Sequence, residues 1–151
     1  MASPITIAGR RIGPGEKPFV VAEISANHNG RFERSEALVR VAAEIHADAV
    51  KLQTYTPDTM TIDSELPWFT IEAGPWAGRT LYELYREAHM PWDWQPKLKK
   101  IADECGIPLF SSPFDETAVD FLESLEVPAY KIASFELVDI PLLRKVAAAH
   151  K

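Results

Sequence analysis

Apolar positions along this chain follow two rhythms. Short apolar runs bounded by turn residues alternate with longer stretches in which apolar residues recur every three or four positions. Residues 5–15 (ITIAGRRIGPG) alternate around Ala8-Gly9 and stop at a Gly-Pro-Gly break, which predicts a β-hairpin. Residues 19–24 (FVVAEI) read as a strand broken only by Glu23, and the loop SANHNG follows. A helix is predicted over 35–46, with Leu38, Val41, Ala42 and Ile45 on its apolar face. A second strand comes directly after it at 49–53 (AVKLQ). Regularity then fails across a stretch punctuated by Pro57, Pro67, Pro75 and Pro91, where only residues 80–89 (TLYELYREAH) look helical.

Order returns with a helix over 95–105, whose apolar face is Leu98, Ile101, Ala102 and Cys105 and whose stop is Gly106. A third strand over 107–110 leads into Ser111, Ser112 and Pro113. A helix over 117–125 follows, with Val119, Phe121, Leu122 and Leu125 apolar. The fourth strand is 129–134 (AYKIAS), and Asp139 is placed to cap a last helix that opens Ile140-Pro141 and runs to the terminus. Four strands, each followed by a helix, make half of a (β/α)8 TIM barrel. The fold class is therefore α/β, with about the first four β/α units in a single unit spanning 1–151, preceded by a hairpin. Four parallel strands do not close a barrel, so the pattern fits an open α/β sandwich or the first half of a longer protein.

Two of the strands hold a lysine in mid-run, Lys51 in AVKLQ and Lys131 in AYKIAS. A strand flanked by helices is covered on both faces, and an ammonium alone there costs several kcal/mol, so an anion or a wet pocket should meet it. In a parallel sheet both lysines would converge at the carboxyl ends of the strands, where ligands bind in such folds. Lysines paired with Asp or Glu for structure alone are the alternative. Glu23 raises the same question from the acidic side, as an acid or base with a task or as a partner for one of the lysines. Lys51 and Gln53 share a strand face, as do Lys131 and Ala133.

Charge and composition narrow the partners. With 46% hydrophobic and 25% charged residues, the 151-residue chain is globular rather than disordered. A net charge of −6 argues against nucleic acid as a partner and leaves an anionic small molecule open. No apolar run approaches the ~18 residues of a membrane span. The opening MASPITIAGRR lacks the apolar core of a secretion signal, so a cytoplasmic protein with no membrane partner is expected. The single cysteine, Cys105, excludes an internal disulfide framework and a Cys-rich zinc site, and reads as a core thiol. His46 and His89 read as ordinary helical histidines, and His150 falls at the terminus. Asn27, His28 and Asn29 fit a turn as well as a site. The aromatics of the irregular stretch, Trp68, Phe69, Trp76, Tyr82, Tyr85, Trp92 and Trp94, suit sugar contact or packing against one another.

The ordered set AEISANHNG, VKLQT, SSPFD and YKIAS resembles the amino-terminal catalytic domain of the sialic acid synthase family. PWFTIEAGPWAGRTLYELYREAHMPWDW is similar to the insertion of that family's pseudaminic acid branch, and together these stretches extend the resemblance over nearly the whole chain. The resemblance implies a transferase that condenses phosphoenolpyruvate with an N-acylated amino sugar. In the pseudaminic branch that sugar is a diacetamido trideoxy hexose. It implies Lys51 and Lys131 as the holders of phosphoenolpyruvate, Ser112 and Ser134 as hydroxyl contacts to it, and Glu23 as the acid or base facing the sugar. Gln53 and Trp76 are the further sugar contacts, with Trp76 standing about where sialic acid synthases place an asparagine. The implied cofactor is a divalent metal, Mn2+ or Mg2+, which polarises the sugar aldehyde and is held by histidines on later strands outside this chain. A carboxyl-terminal antifreeze-like domain also lies outside it, and the full-length protein is implied to be a homodimer. Other readings are an N-acetylneuraminate or legionaminate synthase, a fragment that binds ligand or itself without turnover, and an unrelated phosphate-binding aldolase of the same barrel class.

Overall fold

The structure is a computed structural model that describes residues 3–149, so the expectation for His150 lies outside the described residues. Strands β1 (Ile5–Ile7) and β2 (Arg10–Ile12) pair antiparallel. They turn through Ala8 and Gly9, both at positive φ (47° and 80°), the left-handed pair whose twist matches that of a hairpin. Next come β3 (Val21–Glu23), α1 (Phe32–Glu44) and β4 (Ala49–Thr54). The irregular stretch holds α2 (Pro57–Met60) and α3 (Leu81–Ala88), and α4 (Gln95–Glu104), β5 (Leu109–Pro113), α5 (Glu116–Ser124) and α6 (Ile140–Ala148) complete the order. Strands β3, β4 and β5 form a parallel sheet in that spatial order. Parallel neighbours in chain order, joined by helical crossovers, are the architecture of a partial TIM barrel.

The fourth strand is shorter than its sequence predicts. Within 129–134 only Tyr130 forms a bridge, to Ser111, and the Lys131 amide donates to the Ser111 carbonyl at 3.1 Å. By Ser134 the chain is entering a 3-10 helix, Phe135–Val138. The physical reason is that this segment has a hydrogen-bonding neighbour on one side only, so half of its ladder is missing. The next residues, Phe135 and Val138, are 89% and 83% exposed and add no burial to hold it extended. Tyr130 is fixed instead by its hydroxyl, which donates to Glu123 of α5.

The main core lies between the sheet and two helices. Val50, Leu52 and Leu109 meet Val39 and Ala42 of α1 and Leu98, Ile101 and Ala102 of α4. Helix α1 is rotated from the expected face: Ser35, Val39 and Ala42 are buried, whereas Val41 and Ile45 are 47% and 70% exposed. The buried set keeps helical spacing and uses smaller side chains, which lets α1 lie close on β4. Helix α4 buries Gln95, Leu98, Ile101 and Ala102, with Cys105 partly buried beside the same core as a free thiol. It ends at Gly106 (φ 69°), where the amides of Gly106 and Ile107 donate back to Asp103 and Ala102. Asp139 caps α6 as its sequence predicts, accepting the Leu142 amide at 3.0 Å.

The hairpin closes the amino-terminal end of the sheet. Ile7 and Phe19 pack on a second apolar cluster that includes Ala49, Phe110 and Ala129. Arg10 donates to the Pro18 carbonyl at 2.8 Å, lies over the Phe19 ring at 5.3 Å and pairs with Asp48. The second oxygen of Asp48 accepts the Val20 amide at 2.7 Å. At the opposite end, several aromatics of the irregular stretch pack mainly against other parts of the chain. Trp92 stacks on Phe121 at 4.9 Å and donates to the Tyr55 carbonyl, while Tyr55 meets Tyr85 and Phe114 edge to face. Burial pushes the Tyr55 phenol up to about 12, so it stays protonated in this packing. Trp68, at 80% exposed, stands apart from it. No helix among the described residues is long and apolar enough to cross a membrane.

Candidate active site

Side-chain alternation divides the sheet into two chemically different faces. The register sets Glu23 opposite Lys51, Lys51 opposite Phe110 and Gln53 opposite Ser112. Glu23, Lys51, Gln53 and Ser112 therefore share the face turned away from α1 and α4. The Ser111 to Tyr130 bridge places Lys131 level with Ser112 on that same face. The two sequence-predicted lysines thus fall on one side of the sheet, on strand positions flanking β5.

Lys51 forms an ion pair with Glu23, the pairing that the sequence left open as a structural alternative. Exposure decides what the pair can do: the Lys51 side chain is 15% exposed and that of Glu23 is 37% exposed. The ammonium is sunk in the sheet while the carboxylate stands at its mouth, reachable from solvent. The other Glu23 oxygen, Oε1, accepts the Ser25 amide at 3.1 Å, which Ser25 can offer because it sits at φ 46°. Lys131 is exposed and makes no ion pair among the described residues. Ser112 is 1% exposed and Ser134 lies exposed at the start of the 3-10 helix.

Trp76 does not join this group. It lines a separate cavity of about 110 Å³ with Ala26, Asn29, Gly30, Glu87 and Ala88, between the loop after β3 and the end of α3. One face of the indole is covered by the Arg79 guanidinium, 5.0 Å from the ring centre. Arg79 is in turn held by Glu87 at 2.5 Å.

Sequence reasoning missed a buried polar cluster on the other face. The Thr54 hydroxyl lies 2.8 Å from Gln95 Oε1 and 2.7 Å from the Ser111 hydroxyl, all three groups fully buried. The signal was present as polar residues at alternate strand positions, since Thr54 and Ser111 are each one residue out of phase with Gln53 and Ser112. His28 fits a turn as well as a site in the sequence, and in the structure it is 1% exposed. Burial lowers its pKa, with the Ala88 carbonyl pulling the other way and His89 adding to the decrease. Among the described residues, no group of three or more His, Cys, Asp or Glu is placed to hold a metal ion.

A parallel barrel-type sheet with ionisable side chains at the carboxyl ends of its strands is the frame on which (β/α) barrel enzymes of many kinds build their sites. Over 99% of this chain and 47% of the other, it superimposes on N-acetylneuraminic acid (sialic acid) synthetase from Leptospira borgpetersenii, solved in complex with citrate, with TM-score 0.82 and 26% identity. The chain matches the NeuB family over residues 38–151, and it belongs to that family. It is 44% identical to pseudaminic acid synthase of Helicobacter pylori over 90% of this chain and 40% of that protein. It is 35% identical to N,N'-diacetyllegionaminic acid synthase of Legionella pneumophila over 86% of this chain and 36% of that protein. The chain thus spans about two fifths of the length of the curated relatives it matches.

Proposed function

We propose that this chain is the phosphoenolpyruvate-binding portion of a pseudaminic acid synthase. The observation that carries the reading is the common face shared by Lys51, Gln53, Ser112 and Lys131, with the Glu23 carboxylate at its solvent edge. Phosphoenolpyruvate bears a phosphate and a carboxylate on three carbons, and such a ligand needs cationic donors at a fixed separation. Lys51 is sunk and held in place by Glu23, whereas Lys131 is free to close on an anion from the exposed side. Ser112 would contribute from beneath the ligand and Ser134 from its rim. Gln53 and Glu23 then face the sugar, with Glu23 as its acid or base, and the Trp76 cavity is assigned to an acyl group of that sugar.

The reaction joins C3 of phosphoenolpyruvate to the aldehyde carbon of the open sugar. Water adds to the carbon that carries the phosphate, and the bond from that carbon to the phosphate oxygen breaks. The products are a nine-carbon keto acid and inorganic phosphate. A divalent metal would supply Lewis acidity at the sugar carbonyl. The described residues present no ligand set for it, so its ligands are assigned to residues outside this chain and no step is routed through it. The full-length protein is read as a homodimer.

Calorimetry with phosphoenolpyruvate tests the binding half of the reading. Lys51→Met and Lys131→Met should each weaken binding by about 10- to 100-fold, the worth of a charge-assisted hydrogen bond. Unchanged affinity in both variants would remove the lysines from the site. Phosphate release by the full-length protein tests the sugar: turnover of N-acetylmannosamine in preference to the diacetamido hexose would end the pseudaminic assignment.

A further inference from the structure

The loop after β3 is held in a conformation that its residues do not favour. Ser25 and Asn29 both have positive φ (46° and 54°), which costs serine about 1–2 kcal/mol and which asparagine adopts more readily than most non-glycine residues. Successive one-turn bonds follow them: the Asn27 amide donates to the Ile24 carbonyl, Asn29 to Ala26 and Arg31 to His28, at 3.0, 3.0 and 3.1 Å. Beneath this coil lies the His28 ring, 1% exposed and edge-on to Trp94 at 5.6 Å. Its Nδ1 accepts the Gly30 amide at 3.1 Å, which puts the ring proton on Nε2. Nε2 is buried and has the Ala88 carbonyl nearby, without closing a hydrogen bond of good geometry to it. The better-formed bond is the one at Nδ1.

What the loop holds is Glu23. The same left-handed Ser25 that opens the coil turns its amide onto Glu23 Oε1, while the second carboxylate oxygen pairs with Lys51. We propose that His28 is a positioning residue for Glu23: by accepting the Gly30 amide through Nδ1, it locks the coil that aims the Ser25 amide at the carboxylate. His28 is buried and acts through the backbone of this loop, whose Ala26, Asn29 and Gly30 also line the Trp76 cavity. The consequence for ligand affinity rests on the proposed binding site, whereas the locking itself does not.

The test separates Nδ1 from the bulk of the ring. His28→Asn can put its side-chain oxygen where Nδ1 stands, whereas His28→Gln reaches toward Nε2 and fills more of the space. Amide spectra of the protein should show Ser25 and Gly30 nearly unmoved in His28→Asn and displaced in His28→Gln. Phosphoenolpyruvate affinity should be kept within about twofold in the first and fall about tenfold in the second, the worth of roughly one hydrogen bond. Amide shifts in His28→Asn as large as or larger than those in His28→Gln would overturn the proposal, because a ring that only fills space is replaced better by the longer glutamine. Should the unsubstituted protein bind no phosphoenolpyruvate, the functional reading fails while the amide shifts still decide the role of His28. A measurement without any variant adds a further check. Long-range proton–nitrogen spectra of His28 should report a bare Nδ1 and a protonated Nε2, and the opposite tautomer would end the proposal.

Discussion

The two faces of β4 are built from adjacent residues and obey different rules. Val50, Leu52 and Thr54 are fully buried under helices, and the polar one among them finds its partners inside the protein. On the other face, Lys51 reaches its partner at the mouth of the sheet, and that partner is itself exposed. The first face is packed along its whole length, whereas the second packs only at its amino-terminal end, where Ala49 joins the second apolar cluster, and carries the proposed ligand-binding charges beyond it. The contrast shows how one strand separates packing from chemistry with a period of two residues.

Substitutions on the two faces should therefore differ in kind. The largest loss of stability is expected for Leu52→Ala, about 2–5 kcal/mol by denaturant unfolding, because a fully buried leucine leaves a cavity between sheet and helices. Thr54→Val should cost about 1–3 kcal/mol despite its matched shape, since Gln95 and Ser111 lose a buried partner. Lys51→Met should change stability by less than about 1 kcal/mol, because the released Glu23 carboxylate is open to water. A loss from Lys51→Met as large as that from Leu52→Ala would erase the distinction between the faces.

Features governed by local chemistry were legible in the sequence. The strand and helix alternation, the Asp139 cap, the Gly106 stop and the Ala8-Gly9 turn each depend on a few neighbouring residues, and all are present. Choices settled by tertiary contact were not legible. Val41 offers α1 as good an apolar position as Val39, and only the close approach to β4 selects Val39. The length of the fourth strand depends on whether a neighbour pairs with its far edge, which no local pattern encodes. Within the candidate site, Lys51, Lys131 and Glu23 stood out as charges in apolar strands and periodicity put Lys51 and Gln53 on one face, whereas Ser112, Ser134 and Trp76 came from the family resemblance. The Lys51 to Glu23 pairing depends on which strands are adjacent, and so stayed undecided until the register was known. Trp92 and Trp94 were ambiguous for the same reason, and the structure assigns both to packing.

Asp48 joins parts of the chain that are far apart in sequence. Its carboxylate holds the Val20 amide across 28 positions and also pairs with Arg10. As the polypeptide emerges in synthesis, the hairpin has no anchor until the start of β4 has appeared, so the first segment made is among the later ones to settle. A charge-neutral residue at position 48 would leave the sheet intact but let its amino-terminal cover swing loose, and proteases should find that cover first.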